Sequence, residues 1–411
     1  MISANEFICA TDNQTLERAI ANRHADGIVV IPPRSSQIEP DRNYWLLDRA
    51  VLLPENTTIV LQNCTIKLSD KCRDNFFRSA NCGIGFACPE RIHNIHICGE
   101  GACTLLGADH PRAAGDGSKR LANPCPYEAE DIRRLGKWSP DEWHDYSYGT
   151  DAGKVGESQY GDWRGIGILL ANVEHFSIEN LRIVDSHGWG ISLEACTYGR
   201  VNRIEFDACM SKIINGLRSN MENQDGVDIR NGCHHIVISD ISGRTGDDIV
   251  ALTAVADPDY LPGGSMCTTH VMHNDWTKRE PDIHDIVIRN VVGYSNLCWM
   301  VRLLPGNARI WNVVIDGIID TAPHDVHHGG ALLLGDWDGA YGANPPNGMR
   351  NVAISNVISG GRKAITILGY LTDSVISNVV YHGTEAAAIE FGRPDCMKNV
   401  SIQNFIQSRQ G

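Results

Sequence analysis

The chain has 411 residues, 36 Lys+Arg against 50 Asp+Glu, a net charge of −14 and 42% hydrophobic residues. That composition supplies a large core, and one all-β domain can use the whole length. The acidic balance argues against a nucleic-acid partner, which needs a basic face, and no run of about 18 apolar residues is present to span a membrane.

In chain order, the start Met1–Gln14 lacks a basic stretch followed by an apolar run, so no signal peptide is read and a cytoplasmic location is expected. Thr15–Ala21 carries apolar residues at helical spacing, with Asp12 or Asn13 as the expected cap, and Gly27–Pro33 follows as a strand ended by prolines. Residues 1–50 are read as an N-terminal cap with the first strands. Six of the 14 cysteines (Cys64, Cys72, Cys82, Cys88, Cys98, Cys103) crowd one segment, but none forms a C-x-x-C pair. They are expected to be buried free thiols rather than zinc ligands or disulfides, and no metal or cofactor is expected anywhere in the chain.

From Leu61 onward a short pattern returns, an apolar residue, a variable one and then Asn. It reads Leu61-Gln62-Asn63, Ile178-Glu179-Asn180, Ile288-Arg289-Asn290, Ile354-Ser355-Asn356, Ile376-Ser377-Asn378 and Ile402-Gln403-Asn404. Variants end in Asp or Gly, as in Ile238-Ser239-Asp240 and Ile315-Asp316-Gly317. The residues before each copy alternate apolar and polar, which is strand periodicity. Neighbouring copies recur at spacings of about 22–27 residues with no helical pattern between them, the signature of a β-solenoid whose stacked rungs share one core. Asn, Asp and Gly enter the left-handed conformation most easily, so they are expected to end each strand and turn the chain, and the stacked Asn side chains to form a ladder. The fold expected is all-β, a right-handed parallel β-helix, in one domain over 1–411.

Two insertions interrupt the repeat. Residues 104–165 hold Trp138, Trp143, His144, Tyr146, Tyr148, Tyr160 and Trp163, and residues 254–284 hold His270, His273, Asp275, Trp276, Lys278 and Arg279. Long loops in a compact domain are usually functional, and both are expected to overhang a sugar cleft.

The chemistry concentrates in Asn223-Gln224-Asp225-Gly226-Val227-Asp228 and in Gly246-Asp247-Asp248-Ile249-Val250. Strand aligned on strand, Asp225 falls directly under Asp248, one turn apart, at the inter-strand spacing of about 4.8 Å. Asp247 lies beside them. Three acids in one patch raise at least one pKa, which is what glycoside hydrolysis requires: one carboxyl protonated, another ionised. The same alignment puts Trp189 in the column of Asp225 and Trp299 in that of Asp248, as sugar-stacking walls. Arg302 points to the side of Asp228, where it is read either as a holder of a substrate carboxylate or as a partner of Asp228.

These residues carry a family resemblance over most of the chain. It resembles glycoside hydrolase family 28, the polygalacturonase and rhamnogalacturonase group of right-handed parallel β-helices. The family's Asn-Thr-Asp motif corresponds to Asn223-Gln224-Asp225, and its Gly-Asp-Asp motif to Gly246-Asp247-Asp248. The lead-in Ser186-His187-Gly188-Trp189 is also similar. The resemblance implies an inverting hydrolase in which Asp247 protonates the leaving oxygen while Asp225 and Asp248 activate water, with Asn223, His187, Asp228 and Arg302 toward the substrate. Two motifs depart. Gly-His-Gly is absent, leaving His270 as the nearest match and His273 as a substitute. Arg302-Leu303-Leu304 stands for Arg-Ile-Lys, so the Lys that meets a substrate carboxylate is missing. An oligosaccharide, uronide-containing or neutral, is therefore the expected substrate, and the insertions favour exo-action by blocking one end of the cleft. A polysaccharide lyase or uronate epimerase using Ca²⁺ held by the three acids stays open as an alternative on the same fold, as does a non-catalytic carbohydrate-binding solenoid. Oligomeric state is not legible.

Overall fold

The structure is a computed structural model. It describes the chain except residues 35–38, 40, 71, 73, 84–88, 110–164, 215–216, 221–222, 256–270, 272–278, 324–325, 327–328, 337–343, 393–394 and 409–411, with the backbone alone at 213–214 and 217–220.

Each turn of the chain lays down one short strand and one long, bent strand. The short strands stack in parallel into a ten-stranded sheet, and the long ones into a parallel sheet of fifteen that includes the first, shorter rungs. Leu371 pairs with Met349 on one side and Met397 on the other, 22 and 26 residues away. The expected repeat is thus the real pitch, and the fold is the parallel β-helix expected from the sequence. An antiparallel hairpin, Ser211–Ile214 with Leu217–Asn220, branches off the rungs. Among the described residues no helix is long and apolar enough to cross a membrane.

Asn63 ends a strand, Thr57–Gln62, as expected, but in the later rungs the recurrent Asn bends a strand in its middle. Asn180 lies inside the strand Val173–Val184 with φ 61°. Ile178 and Leu181 on either side are both buried, while Glu179 and Asn180 between them both face outward. A single left-handed residue turns the strand from one face of the solenoid to the next and restarts the in–out alternation. In an L-residue that conformation costs roughly 1–2 kcal/mol, least for Asn and Asp, whose short polar chains bond locally. The ladder expected of these residues is present. Asn290 Nδ2 donates to Asp240 Oδ1 at 3.0 Å, Asn378 to Asn356 Oδ1 at 3.1 Å, and Asn404 to Asn378 Oδ1 at 3.1 Å.

A second left-handed column opens the long strands. Asn94 donates to Asn56 at 2.8 Å, Asn312 to Asp285 at 2.8 Å, and Asn351 to Asn312 at 2.9 Å. Between Asn94 and Asp285 this column is occupied by His175, Tyr198 and His235, all at positive φ.

Inside, each rung contributes a stripe of aliphatic side chains, for example Val227, Ile229, Ile236, Ile238 and Ile241, all essentially inaccessible. Each such burial is worth about 1.5–3 kcal/mol. A slip of one residue would turn the whole stripe outward, so the register of every rung is fixed.

Helix α1, Asp12–Ala21, closes the N-terminal end with Leu16, Ala19 and Ile20 in the core. Its cap is Thr11, whose side chain accepts from Gln14 N at 3.2 Å, rather than Asp12 or Asn13. Those two sit buried in the first turn. Asp12 pairs with Arg34 at 3.1 Å, and Asn13 Oδ1 accepts from Asp48 N at 2.7 Å, which ties the helix to the first rungs. The cysteines among the described residues are all free, most of them buried, as the sequence suggested.

Candidate active site

Four short strands build the site: β1 (Ile191–Glu194), β2 (Val227–Arg230), β3 (Val250–Thr253) and β4 (Trp299–Leu304). Val227 pairs with Ile191 and with Val250, and Val250 pairs with Val301. Two residues before those positions stand Trp189, Asp225, Asp248 and Trp299, in one column as the strand alignment requires. The pairing extends into the turns, where Gly190 N donates to Asp225 O at 2.8 Å and Gly226 N to Asp248 O at 2.9 Å. The backbone ladder itself sets how far apart the acids stand.

Gln224 locks this corner. Its carbonyl accepts from Gly246 N at 2.9 Å and from Asp247 N at 3.3 Å. Its side chain donates to Ser186 O at 2.9 Å and accepts from Met210 N at 3.2 Å. The middle residue of the Asn223–Asp225 motif is thus a structural clamp, while Asn223 sits half-buried at φ 51° at the entry to the turn.

Asp225 is 6% exposed and Asp248 2%, whereas Asp247 is half-buried and is the accessible carboxyl of the three. Burial, with Asp247, Asp228 and Asp248 adding like charge, pushes the Asp225 carboxyl well above the usual range. Asp228 is likewise raised by burial, against the pull of Arg230. Asp248 is pushed up to about 7 by burial, opposed first by Arg302. Its Oδ1 accepts from Trp299 N at 2.9 Å, and its Oδ2 lies 3.6 Å from Arg302 Nη1. Oδ2 of Asp225 and of Asp228 is buried with no hydrogen-bond partner among the described residues. Groups that repel one another this closely titrate as a unit, holding protons to neutral pH.

Several expected site residues have other surroundings. Trp189, expected on the cleft wall, is 7% exposed and packs with Ile166, Leu169, Ala171, Cys82 and Val271, its ring covered by the Arg230 guanidinium at 4.4 Å. It is a satellite core residue. His187 is buried, and its Nε2 accepts from Ala108 N at 3.1 Å, so that nitrogen serves the chain's own backbone. Arg302 is a neighbour of Asp248; Ala251 separates it from Asp228 in the column. Trp299 is half-buried, against Gly329. His270 and His273 lie outside the described residues.

Three residues were not anticipated. Arg230 and Glu194 are neighbours on adjoining rungs, one step past the Leu193–Ile229 pair, and both are buried. Cys298 stands one rung above Asp247, and its thiol is driven far up by burial and by the adjacent Asp247 and Asp248 carboxylates. Sγ of Cys298 and carboxylate oxygens of Asp247 and Asp248 lie within 4.8 Å of one another. A thiol is a poor donor for Ca²⁺, which takes oxygen ligands, so this grouping does not suit that ion. Beside the cluster a cavity of about 620 Å³, lined by Leu297, Gly329, Arg362 and Glu385 among others, continues along the solenoid.

No family model matches the chain. Over 180 residues it is 27% identical to rhamnogalacturonase A of Emericella nidulans, a stretch that covers 42% of this chain and 31% of that protein. The match thus spans about a third of the curated relative. Among solved structures, the endo-xylogalacturonan hydrolase of Aspergillus tubingensis superposes with TM-score 0.58 at 13% identity, covering 97% of this chain and 90% of that one. The polygalacturonase of Erwinia carotovora gives 0.50 at 16%, covering 98% and 93%. A tailspike of E. coli bacteriophage HK620, solved with a pentasaccharide, gives 0.53 at 12%, covering 98% and 65%. At these identities the superpositions speak for the fold, a right-handed parallel β-helix over essentially the whole chain. The chain is a right-handed parallel β-helix protein similar to those of glycoside hydrolase family 28.

Proposed function

We propose that the protein is a glycoside hydrolase acting on a pectic or related oligosaccharide through Asp225, Asp247 and Asp248. The observation that carries this reading is the register of the carboxyls: Asp225 and Asp248 are stacked on successive rungs and both raised by burial, with the more accessible Asp247 beside Asp248. In the proposed mechanism Asp247, the accessible member, delivers a proton to the leaving glycosidic oxygen. Asp225 and Asp248, behind it, take the proton of the attacking water, with inversion at the anomeric carbon. Arg302 holds Asp248 toward its ionised form, and Trp299 N–H fixes the direction of that carboxylate. The relative whose name is rhamnogalacturonase supports a pectic substrate. The absence of a Lys after Arg302 supports a short or only partly uronide chain, and the two insertions support exo-action.

The test is incubation with a panel of pectic and neutral oligosaccharides beside D247N. New reducing ends without ultraviolet absorbance, abolished in D247N, are the expected result. Products absorbing as unsaturated uronides would make the protein a lyase. Tight saccharide binding that D247N leaves intact, with no product in either protein, would make it a binding solenoid.

A further inference from the structure

The interruption of the second left-handed column is the feature that the proposed hydrolase does not use. At Asn56–Asn94, Asp285–Asn312 and Asn312–Asn351 that column bonds side chain to side chain across rungs; at His175, Tyr198 and His235 the amides are gone. Positive φ is uncommon outside Gly; His, like Asn and Asp, is enriched there, whereas a ring as bulky as that of Tyr198 is an outlier. This break in the amide column is accompanied by a convergence of donor atoms. His284 Nδ1 lies 2.7 Å from Asp285 Oδ2, His235 Nδ1 lies 3.8 Å from the same oxygen, and donor atoms of all three residues fall within 4.8 Å of one another. In a tetrahedral zinc site with bonds of about 2.0–2.1 Å, ligand atoms stand roughly 3.3 Å apart. The two measured separations bracket that edge.

The surroundings hold these donors in place. Asn312 Nδ2 donates to Asp285 Oδ1 at 2.8 Å, leaving Oδ2 turned to the histidines. The His284 ring is sandwiched between His234, at 4.7 Å and 5°, and Trp311, at 4.5 Å and 12°. Fixing ligand orientation from outside in this way is what outer-shell groups do in metal sites.

We propose that His235, His284 and Asp285 form a surface site for a divalent transition metal of the zinc, nickel or copper type, with water completing the coordination. Imidazole nitrogens with one carboxylate select such ions over Mg²⁺ and Ca²⁺. The site is separate from the acid cluster: Asp225 precedes β2, whereas His235 follows it on the next strand, His234–Thr245. A bound ion would staple two rungs together where the amide ladder is missing.

The experiment is calorimetric titration of the full chain with Zn²⁺ and Ni²⁺, in a C298S background that removes the soft donor beside Asp247. One ion per chain and a metal-dependent rise in melting temperature are expected, with no heat from Mg²⁺ or Ca²⁺. H235N restores the residue the column uses elsewhere, so it is expected to fold as well as its parent. Loss of an outer-shell partner alone costs about 10–100-fold in affinity, so H235N and H284Q are expected to weaken Zn²⁺ binding at least about tenfold. Absence of binding in the parent overturns the proposal, as does Zn²⁺ affinity that H235N and H284Q leave unchanged.

Discussion

The Arg302 guanidinium lies 3.6 Å from the Asp248 carboxylate, which is 3% exposed at its side chain. This is the cation that faces Asp248, and it bears on how readily Asp248 ionises. Arg302 is the first influence opposing burial at Asp248. Replacing it with Gln is expected to move the Asp248 pKa above about 7. If Asp248 must be ionised to activate water, the acidic limb of the kcat/KM profile, near neutrality in the parent, shifts to higher pH in R302Q. A limb that stays in place in R302Q would show that Asp248 does not set it.

Charge neutralisation of the acids is expected to act on chemistry. D225N, D247N and D248N should each lower kcat by about 10²–10⁴-fold, the usual worth of a positioned acid or base, with little change in KM. Steady-state kinetics on whichever oligosaccharide the panel identifies makes the measurement.

The same burial predicts a stability trade. The folded-state pKa of Asp248 is pushed up to about 7, above the ordinary 3.8 of an aspartate, so the native state binds its proton more tightly than the unfolded chain. Stability from this group is full at low pH and falls as pH rises from about 4 through 7. D248N escapes the cost of burying an ionised carboxylate and still presents an oxygen to Trp299 N–H. It should be more stable than the parent at pH 8, on the order of 2 kcal/mol, and gain nothing at pH 4. Urea unfolding at the two pH values tests this.

Cys298 should be chemically quiet. Burial and the neighbouring Asp247 and Asp248 carboxylates push its thiol far above the ordinary range, and alkylation proceeds through the thiolate. In native protein at pH 8, iodoacetamide is expected to label Cys298 much more slowly than it labels the same residue in urea, as read by peptide mass spectrometry.

Asn378 bonds Asn356 below and Asn404 above, at 3.1 Å each, and sits at φ 56°. N378A loses both bonds and keeps a strained backbone, which together predict a loss of about 1–3 kcal/mol. N378G, relieved of the strain, should lose less. Denaturant midpoints of the two variants give the comparison.

Much of the site was legible because a parallel ladder converts sequence offsets into positions. Asp225 under Asp248, and the columns of Trp189 and Trp299, follow from the alternation of β2, β3 and β4. Cys298 was reachable by the same step, one residue before Trp299, but its residue type carries no signal of acid chemistry. Exposure was not reachable. The column places Trp189 correctly, yet what covers it, Val271 and Arg230 above all, depends on side chains and loops outside the column. The Asn bends were read as strand ends because an alternation that skips one step looks locally like an alternation that stops. Asp12 and Asn13 were read as caps because they suit that task; the structure spends them on tertiary bonds that no local pattern announces.

The hydrogen bonds from Gly226 to Asp248 and from Gly190 to Asp225 make the solenoid a ruler graduated in steps of about 4.8 Å. Loops between rungs can lengthen by tens of residues, as between β3 and β4, without moving a graduation. A lineage built on such a scaffold can therefore exchange the walls of its cleft, and with them the sugar it admits, while the spacing of the reacting groups is inherited unchanged.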